Sequence, residues 1–318
     1  MICVPLFSLI FSIVNGFKPI WIGETFRGQS FQSPAQNAIL SENCGFQKTA
    51  KIKEFPWAVS FTVDGVNTLG GSIISPYHIL TAAHGFITTI GSGRTSLCTS
   101  VDLKNATRSV YRSIEFLRET RKVAYGGKCI RGVTTEYPND KKCQKPDVEH
   151  NKIRSVLVDG DFASSNCMDG HDWAIVEVEN EIQFGKNIMP ICIPQRRMYY
   201  TKALTVPGWG RSYRNGPLIH EIPMHVDRKC KRPWSDRLPY DAKDYICATS
   251  MDTYNYSAPR TCHGDSGGGL EFRDDLGRAH LIAITSFGTR GCPSNMLARF
   301  TSVEVYLDLI CKYTGVCY

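Results

Sequence analysis

The sequence contains no Cys-x-x-Cys pair, so a zinc ribbon has no ligands to build on. It has no loop of clustered carboxylates that could hold a divalent cation, and nothing else in it calls for a metal or cofactor. Long basic runs are absent too. The nearest, Arg228-Lys229-Cys230-Lys231-Arg232, is short and interrupted. The net charge of +7 therefore reads as solvated surface, and a nucleic-acid partner is not expected. Past the first residues, no apolar stretch is long enough to cross a bilayer, and no membrane span is expected. Residues 17–50 lack apolar periodicity and are rich in Gly, Gln, Ser and Asn, which reads as a pro-segment or an extended N-terminal arm.

What is present fits an exported chain. The 318 residues, 42% of them hydrophobic, can bury one large core or two small ones. Ile2 to Val14 is almost wholly apolar, too short to span a membrane, and reads as a signal peptide over residues 1–16. There are 13 cysteines, and removing Cys3 with that segment leaves an even number, as in disulfide-bonded extracellular proteins. Asn105-Ala106-Thr107 and Asn255-Tyr256-Ser257 are candidate glycan acceptors at Asn105 and Asn255.

The chemistry is concentrated in Cys262-His263-Gly264-Asp265-Ser266-Gly267-Gly268-Gly269. A serine inside a glycine run can present its Oγ on a turn whose backbone N–H groups converge beside it. A nucleophile needs both, because attack on a carbonyl creates an oxyanion. Two distant segments give the serine its company: Thr81-Ala82-Ala83-His84 and Asp172-Trp173-Ala174-Ile175-Val176. Asp172 opens an apolar strand, where a buried acid wants a partner. Together the three segments resemble the His, Asp and Ser motifs of the chymotrypsin- and trypsin-like (S1) serine proteases, in that family's chain order.

The resemblance runs from Glu54 to the C-terminus and implies a protease domain over 51–318. The implied fold is all-β: two packed six-stranded antiparallel barrels with a C-terminal helix. The implied triad is His84, Asp172 and Ser266, with an oxyanion hole from the N–H groups of Gly264 and Ser266. Ser286-Phe287-Gly288 resembles the strand that pairs with substrate backbone. The family pattern also implies the bridges Cys44–Cys192, Cys230–Cys247 and Cys262–Cys292. Cys98, Cys129, Cys143, Cys167, Cys311 and Cys317 are left without assigned partners. The expected partners are protein or peptide substrates, with an activating protease or a macromolecular inhibitor beside them.

Four departures stand out. No Ile-Val-Gly-Gly-type activation segment precedes Glu54-Phe55-Pro56-Trp57, so the usual cation for Asp265 is missing. That leaves an absent segment, another cation, or no activation. Leu69 and Gly85 replace one usual cysteine pair, and Leu204 and Phe272 replace another. Arg260 stands where trypsin-like enzymes carry an aspartate, which would repel basic side chains and attract acidic ones. Residues 98–170 read as a cysteine-bearing surface insertion, either a decorated loop or an exosite. Two functions are compatible with this pattern: a secreted serine endopeptidase, or a secreted non-catalytic homologue that binds a partner.

Overall fold

The computed structural model describes residues 17–46, 55–91, 94–97, 108–131, 143–165, 167, 169–210, 217–228, 230, 243–289 and 291–318. The expected signal peptide, Cys98 and Asn105 lie outside them. In chain order the elements are β1 (Pro19–Ile22), α1 (Pro34–Asn43), β2 (Ala58–Val63), β3 (Val66–Ile73), β4 (His78–Thr81), β5 (Ile87–Gly91), β6 (Arg94–Leu97) and β7 (Arg108–Tyr111). There follow α2 (Ile114–Thr120), β8 (Lys122–Tyr125), β9 (Glu149–Asn151), β10 (Ile153–Asp159), α3 (Gly160–Ser164) and β11 (Ala174–Val178). The C-terminal half holds β12 (Ala203–Gly208), β13 (His220–Asp227), β14 (Tyr245–Ser250), β15 (Gly269–Arg273), β16 (Ala279–Phe287), β17 (Ala298–Ser302) and α4 (Leu307–Thr314).

The fold is the all-β architecture expected. β12 to β17 close a six-stranded barrel in the order β12-β13-β14-β17-β16-β15. Its inner face follows the two-residue period of a strand: Ile222, Met224 and Val226 are buried on β13 while Pro223 and His225 face out. The N-terminal half is an eight-stranded antiparallel sheet, β1-β10-β11-β4-β3-β2-β8-β9, with β5, β6 and β7 as a separate three-stranded sheet. Asp64-Gly65 makes the β2–β3 turn with φ of 51° and 74°, the left-handed pair that a two-residue hairpin requires. Trp57, Phe61, Phe86 and Trp173 are fully buried at the centre of this half.

The stretch 98–170 is not one surface loop. It supplies β8, β9 and β10 to the sheet, and Val156, Leu157 and Val158 on β10 are fully buried. β10 has neighbours on both edges and is covered on both faces, so it shows a continuous apolar run without alternation. Between β8 and β9, Cys129–Cys143 staples the loop. Ile130 N and Ile219 N then donate to Pro217 and Lys128 carbonyls, which ties the loop to the C-terminal half.

The N-terminal arm is also structured. β1 extends the sheet on β10, and Arg27 Nε donates to the buried Glu177 at 2.9 Å. Ser33 caps α1, with Gln36 returning the bond to the Ser33 N–H and Pro34 in the first turn. Gln32 N donates to Thr314 O at 2.8 Å, and a Cβ at Gly315 would lie 2.0 Å from Gln32 O. That contact and its φ of 73° explain a glycine at the end of α4.

All three bridges implied by the resemblance are present: Cys44–Cys192, Cys230–Cys247 and Cys262–Cys292. Cys311–Cys317 closes the tail, and Cys167 is also oxidised. At Gly85 a Cβ would lie 2.4 Å from Leu69 Cδ2, so leucine fills the space of the lost bridge. Cys44–Cys192 spans 148 positions and restricts the unfolded chain most. Replacing both with alanine is expected to cost about 2–5 kcal/mol, read as a lower urea midpoint with a steeper slope, because the unbridged unfolded chain exposes more surface.

Candidate active site

The site lies where the two halves meet. Ala83–Phe86 form a 3-10 turn directly after β4, and this turn carries His84. Asp172 precedes β11, which pairs with β4, so the sheet register brings acid and imidazole together across 88 positions of sequence. Asp172 is fully buried, and both of its carboxylate oxygens accept hydrogen bonds. Its Oδ2 accepts from His84 Nδ1 at 2.7 Å, and its Oδ1 accepts from the His84 backbone N–H at 2.9 Å. Ser286 Oγ donates to Oδ2 as well. The imidazole is thereby fixed with Nδ1–H toward the acid and Nε2 free to accept a proton. Phe287 stacks near the His84 ring, with centroids 6.2 Å apart.

Ser266 comes from the other half, on the turn before β15. Ser266 O accepts from Gly70 N at 2.6 Å, and Gly267 N donates to Thr285 O at 2.8 Å. A Cβ at Gly267 would lie 2.4 Å from both Gly70 O and Thr81 Oγ1, so only glycine allows the turn this close to the segment leading into His84. No hydrogen bond joins Ser266 Oγ to His84 among the described residues. Within the turn, the N–H groups of Cys262, Asp265, Gly267 and Gly268 are all donated inward. Those of Gly264 and Ser266 have no acceptor among the described residues. Gly264 has φ of 95°, and its carbonyl accepts from Asn67 Nδ2 at 2.8 Å, while Ser60 Oγ holds Asn67 Oδ1 at 2.7 Å. The carbonyl is thus turned toward β3. Asn67 and Ser60 had no signal in the sequence, since a polar pair inside a hairpin looks like ordinary strand surface.

Asp265 lies beneath the turn and is buried. Its carboxylate accepts from Gly210 N and Cys262 N, each at 2.9 Å. A Cβ on Gly208 or Gly210 would come within 2.3 Å of it, so the Gly-Trp-Gly segment is shaped around the acid. No cation pairs with it among the described residues. Burial therefore pushes Asp265 up to about 7, only partly offset by the two N–H groups.

A pocket beside Ser266 is walled by Thr261, His263, Thr285, Ser286, Phe287 and Gly288, with the Cys262–Cys292 bridge across it. A Cβ on Gly288 would meet nothing within 4 Å, so this wall is open. Arg260 does not line the pocket. Its Nη1 donates to Ala258 O at 3.1 Å, within its own loop, because the guanidinium finds a carbonyl closer than the cleft. Ala298 packs in the barrel core with Ala283 and Phe300. Asn255 is exposed on the same outer loop as Arg260, with Oδ1 accepting from Ser257 N.

Two antiparallel β halves, one of them a closed six-stranded barrel, thus meet at a seam that carries His84, Asp172 and Ser266. The family model described as Trypsin matches residues 120–310. The chain is 28% identical over 337 aligned positions to CLIP domain-containing serine protease B8 of Anopheles gambiae, covering 95% of this chain and 75% of that one. It is 28% identical to Trypsin-like protease try-5 of Caenorhabditis elegans, over 74% of this chain and 73% of that one. Chymotrypsin-C of Bos taurus is 26% identical, over 80% and 83% of the two chains. The chain belongs to the trypsin family of serine proteases.

Proposed function

We propose that this protein is a secreted serine endopeptidase that cleaves peptide bonds through an acyl-enzyme. Ser266 Oγ attacks the scissile carbonyl. His84 Nε2 takes the proton and returns it to the leaving amine, and Asp172 holds the imidazole in that tautomer and stabilises its charged form. The N–H groups of Gly264 and Ser266 receive the oxyanion, and each such donor is worth about 10²–10³ in rate. The observation that carries this reading is the His84–Asp172 contact, made through both ring and backbone, beside a turn in which the N–H groups of Gly264 and Ser266 have no acceptor among the described residues. The bond from Ser266 to His84 forms as substrate closes the cleft, because catalytic contacts tighten in the Michaelis complex.

The pocket walls are threonines, a serine and an open glycine edge, with Arg260 turned away. This supports a small or uncharged side chain over an acidic one. Export is supported by the bridges and by the apolar start of the chain. No helix among the described residues is long and apolar enough to cross a membrane. Asn255, on its exposed loop, would carry a glycan.

A second reading, a non-catalytic homologue that binds a partner, is favoured by one feature: no cation pairs with Asp265 among the described residues. A fluorophosphonate probe separates the two. Labelling of the secreted protein, lost in Ser266→Ala, supports the enzyme. A folded protein that never labels, even after limited proteolysis, supports the homologue.

A further inference from the structure

Two arginines beside Phe86, at the end of the His84 turn, have no anion among the described residues. Arg121 follows α2 and is 7% exposed. Its backbone N–H caps α2 by donating to Leu117 O at 2.9 Å, but its side chain makes no hydrogen bond and no ion pair among the described residues. Its Nη1 is buried without a partner, and its guanidinium stands 5.5 Å from the Phe86 ring centre. Arg112 ends β7, where its backbone N donates to Phe86 O at 2.9 Å. Its Nε is likewise buried and unpartnered, and its guanidinium lies over Phe116 at 5.1 Å. Both residues thus adjoin the turn that carries His84, Arg112 through its backbone and Arg121 through its side chain, and the nearby charge of Arg112 disfavours that of Arg121.

Burial and this neighbour bring Arg121 down to about 10, so it stays charged at neutral pH. No carboxylate contributes to the environment of either arginine. The acids of α2, Glu115 and Glu119, are exposed, and no ion pair joins them to either arginine among the described residues. A buried guanidinium normally has an acid beside it, because desolvating a charge without a partner costs several kcal/mol. Stacking on a ring offsets only part of that, by about 0.5–2 kcal/mol. The structure therefore holds two neighbouring guanidiniums, each with a buried nitrogen that no acceptor in the described chain meets. A planar or tetrahedral oxyanion is the group that such forks bind best.

We propose that Arg112 and Arg121 form a binding site for one oxyanion, a carboxylate, sulfate or phosphate group, next to the turn that carries His84. The site does not depend on catalysis by Ser266.

The test uses the full secreted chain with inorganic sulfate as the probe. Thermal midpoints are measured against sulfate concentration, with sodium chloride at matched ionic strength as reference. Wild-type protein should show a saturable rise of several degrees. Sulfate also stabilises proteins generally by exclusion, and that part does not saturate. In Arg112→Gln and in Arg121→Met the saturable part should vanish and the linear part remain. In chloride alone, Arg121→Met should melt no lower than wild type, because it removes an unpaired charge and keeps the apolar stem on Phe86. Equal sulfate curves in wild type and Arg112→Gln would overturn the site. So would a lower melting point of Arg121→Met in chloride, which would make Arg121 a structural residue. A second arm identifies the source of the anion, using Ser266→Ala protein and a fluorescent peptide with Glu or Gln at its centre. Preferential binding of the Glu peptide, displaced by sulfate, marks a substrate carboxylate. Sulfate binding without peptide discrimination marks a free anion or a sulfated ligand.

Discussion

Asp172→Asn will fold normally and lose about 10⁴-fold in kcat with little change in KM. That magnitude is the one characteristic of Ser-His-Asp triads; the direction follows from this site. An asparagine oxygen at the Oδ1 position can still accept the His84 backbone N–H, so the turn stays in place. The amide nitrogen then faces His84 Nδ1. Two donors cannot share that contact, so the imidazole shifts its proton to Nε2. Nε2 then has no lone pair for the Ser266 proton. Ser286 Oγ, which donates to Oδ2 in the native chain, also loses its acceptor and must turn toward bulk water or the pocket. The measurement is kcat on a peptide ester, together with circular dichroism and thermal midpoint. A variant that keeps more than a tenth of the wild-type rate would remove Asp172 from the mechanism.

The second large effect is on stability against pH. Asp265 is raised to about 7 and Glu271 to about 8, both through burial. Glu271 is helped back toward ionisation by Trp57 Nε1, which donates to its Oε1 at 2.5 Å, and by Arg273. In the unfolded chain these groups titrate near 3.8 and 4.5. Above those values the folded chain holds protons that the unfolded chain has released, so stability falls as pH rises toward 7 and 8. His171, raised mainly by its bond to Asp159, loses its contribution in the same direction. His78, lowered to about 4 by burial, opposes the trend only below about 6.5. The window free of His78 is therefore pH 6.5 to 8.5, where the two acids together should lose about 3 kcal/mol by urea unfolding, with His171 adding to the same slope. Glu271→Gln should remove the larger share of the slope and Asp265→Asn the smaller. A flat profile in the wild-type chain would mean that both acids are already ionised at pH 6.5. If a cut in the chain delivers an ammonium to Asp265, its share of the slope will disappear after processing while that of Glu271 stays.

The parts of the site legible in the sequence were those with a fixed chemical signature. His84, Asp172 and Ser266 lie in short motifs whose order and residue types are restrictive, and the glycines around Ser266 declare a special backbone. The Cys44–Cys192 bridge was legible only through family resemblance, as were the other two. Ser33-Pro34-Ala35-Gln36 is a helix start that local chemistry specifies, yet α1 was hidden by the polar composition around it. β1 was hidden differently: four residues are too few to show a period, and their pairing with β10 is set by tertiary contact. The core strands β8 and β10 were read as insertion because charge and cysteines dominate 98–170. Arg260 misled for a third reason. Position in a motif does not fix where a long flexible side chain points, and here a carbonyl two residues back holds it.

The clasp between the arm and the body has a practical result. Hydrolysis of any peptide bond from residue 45 through 191 yields two fragments still joined through Cys44 and Cys192. On a non-reducing gel such a nicked molecule would run as intact protein, and only a thiol would separate its pieces. Maturation of this protein should therefore be followed with reductant present, or it will go unseen.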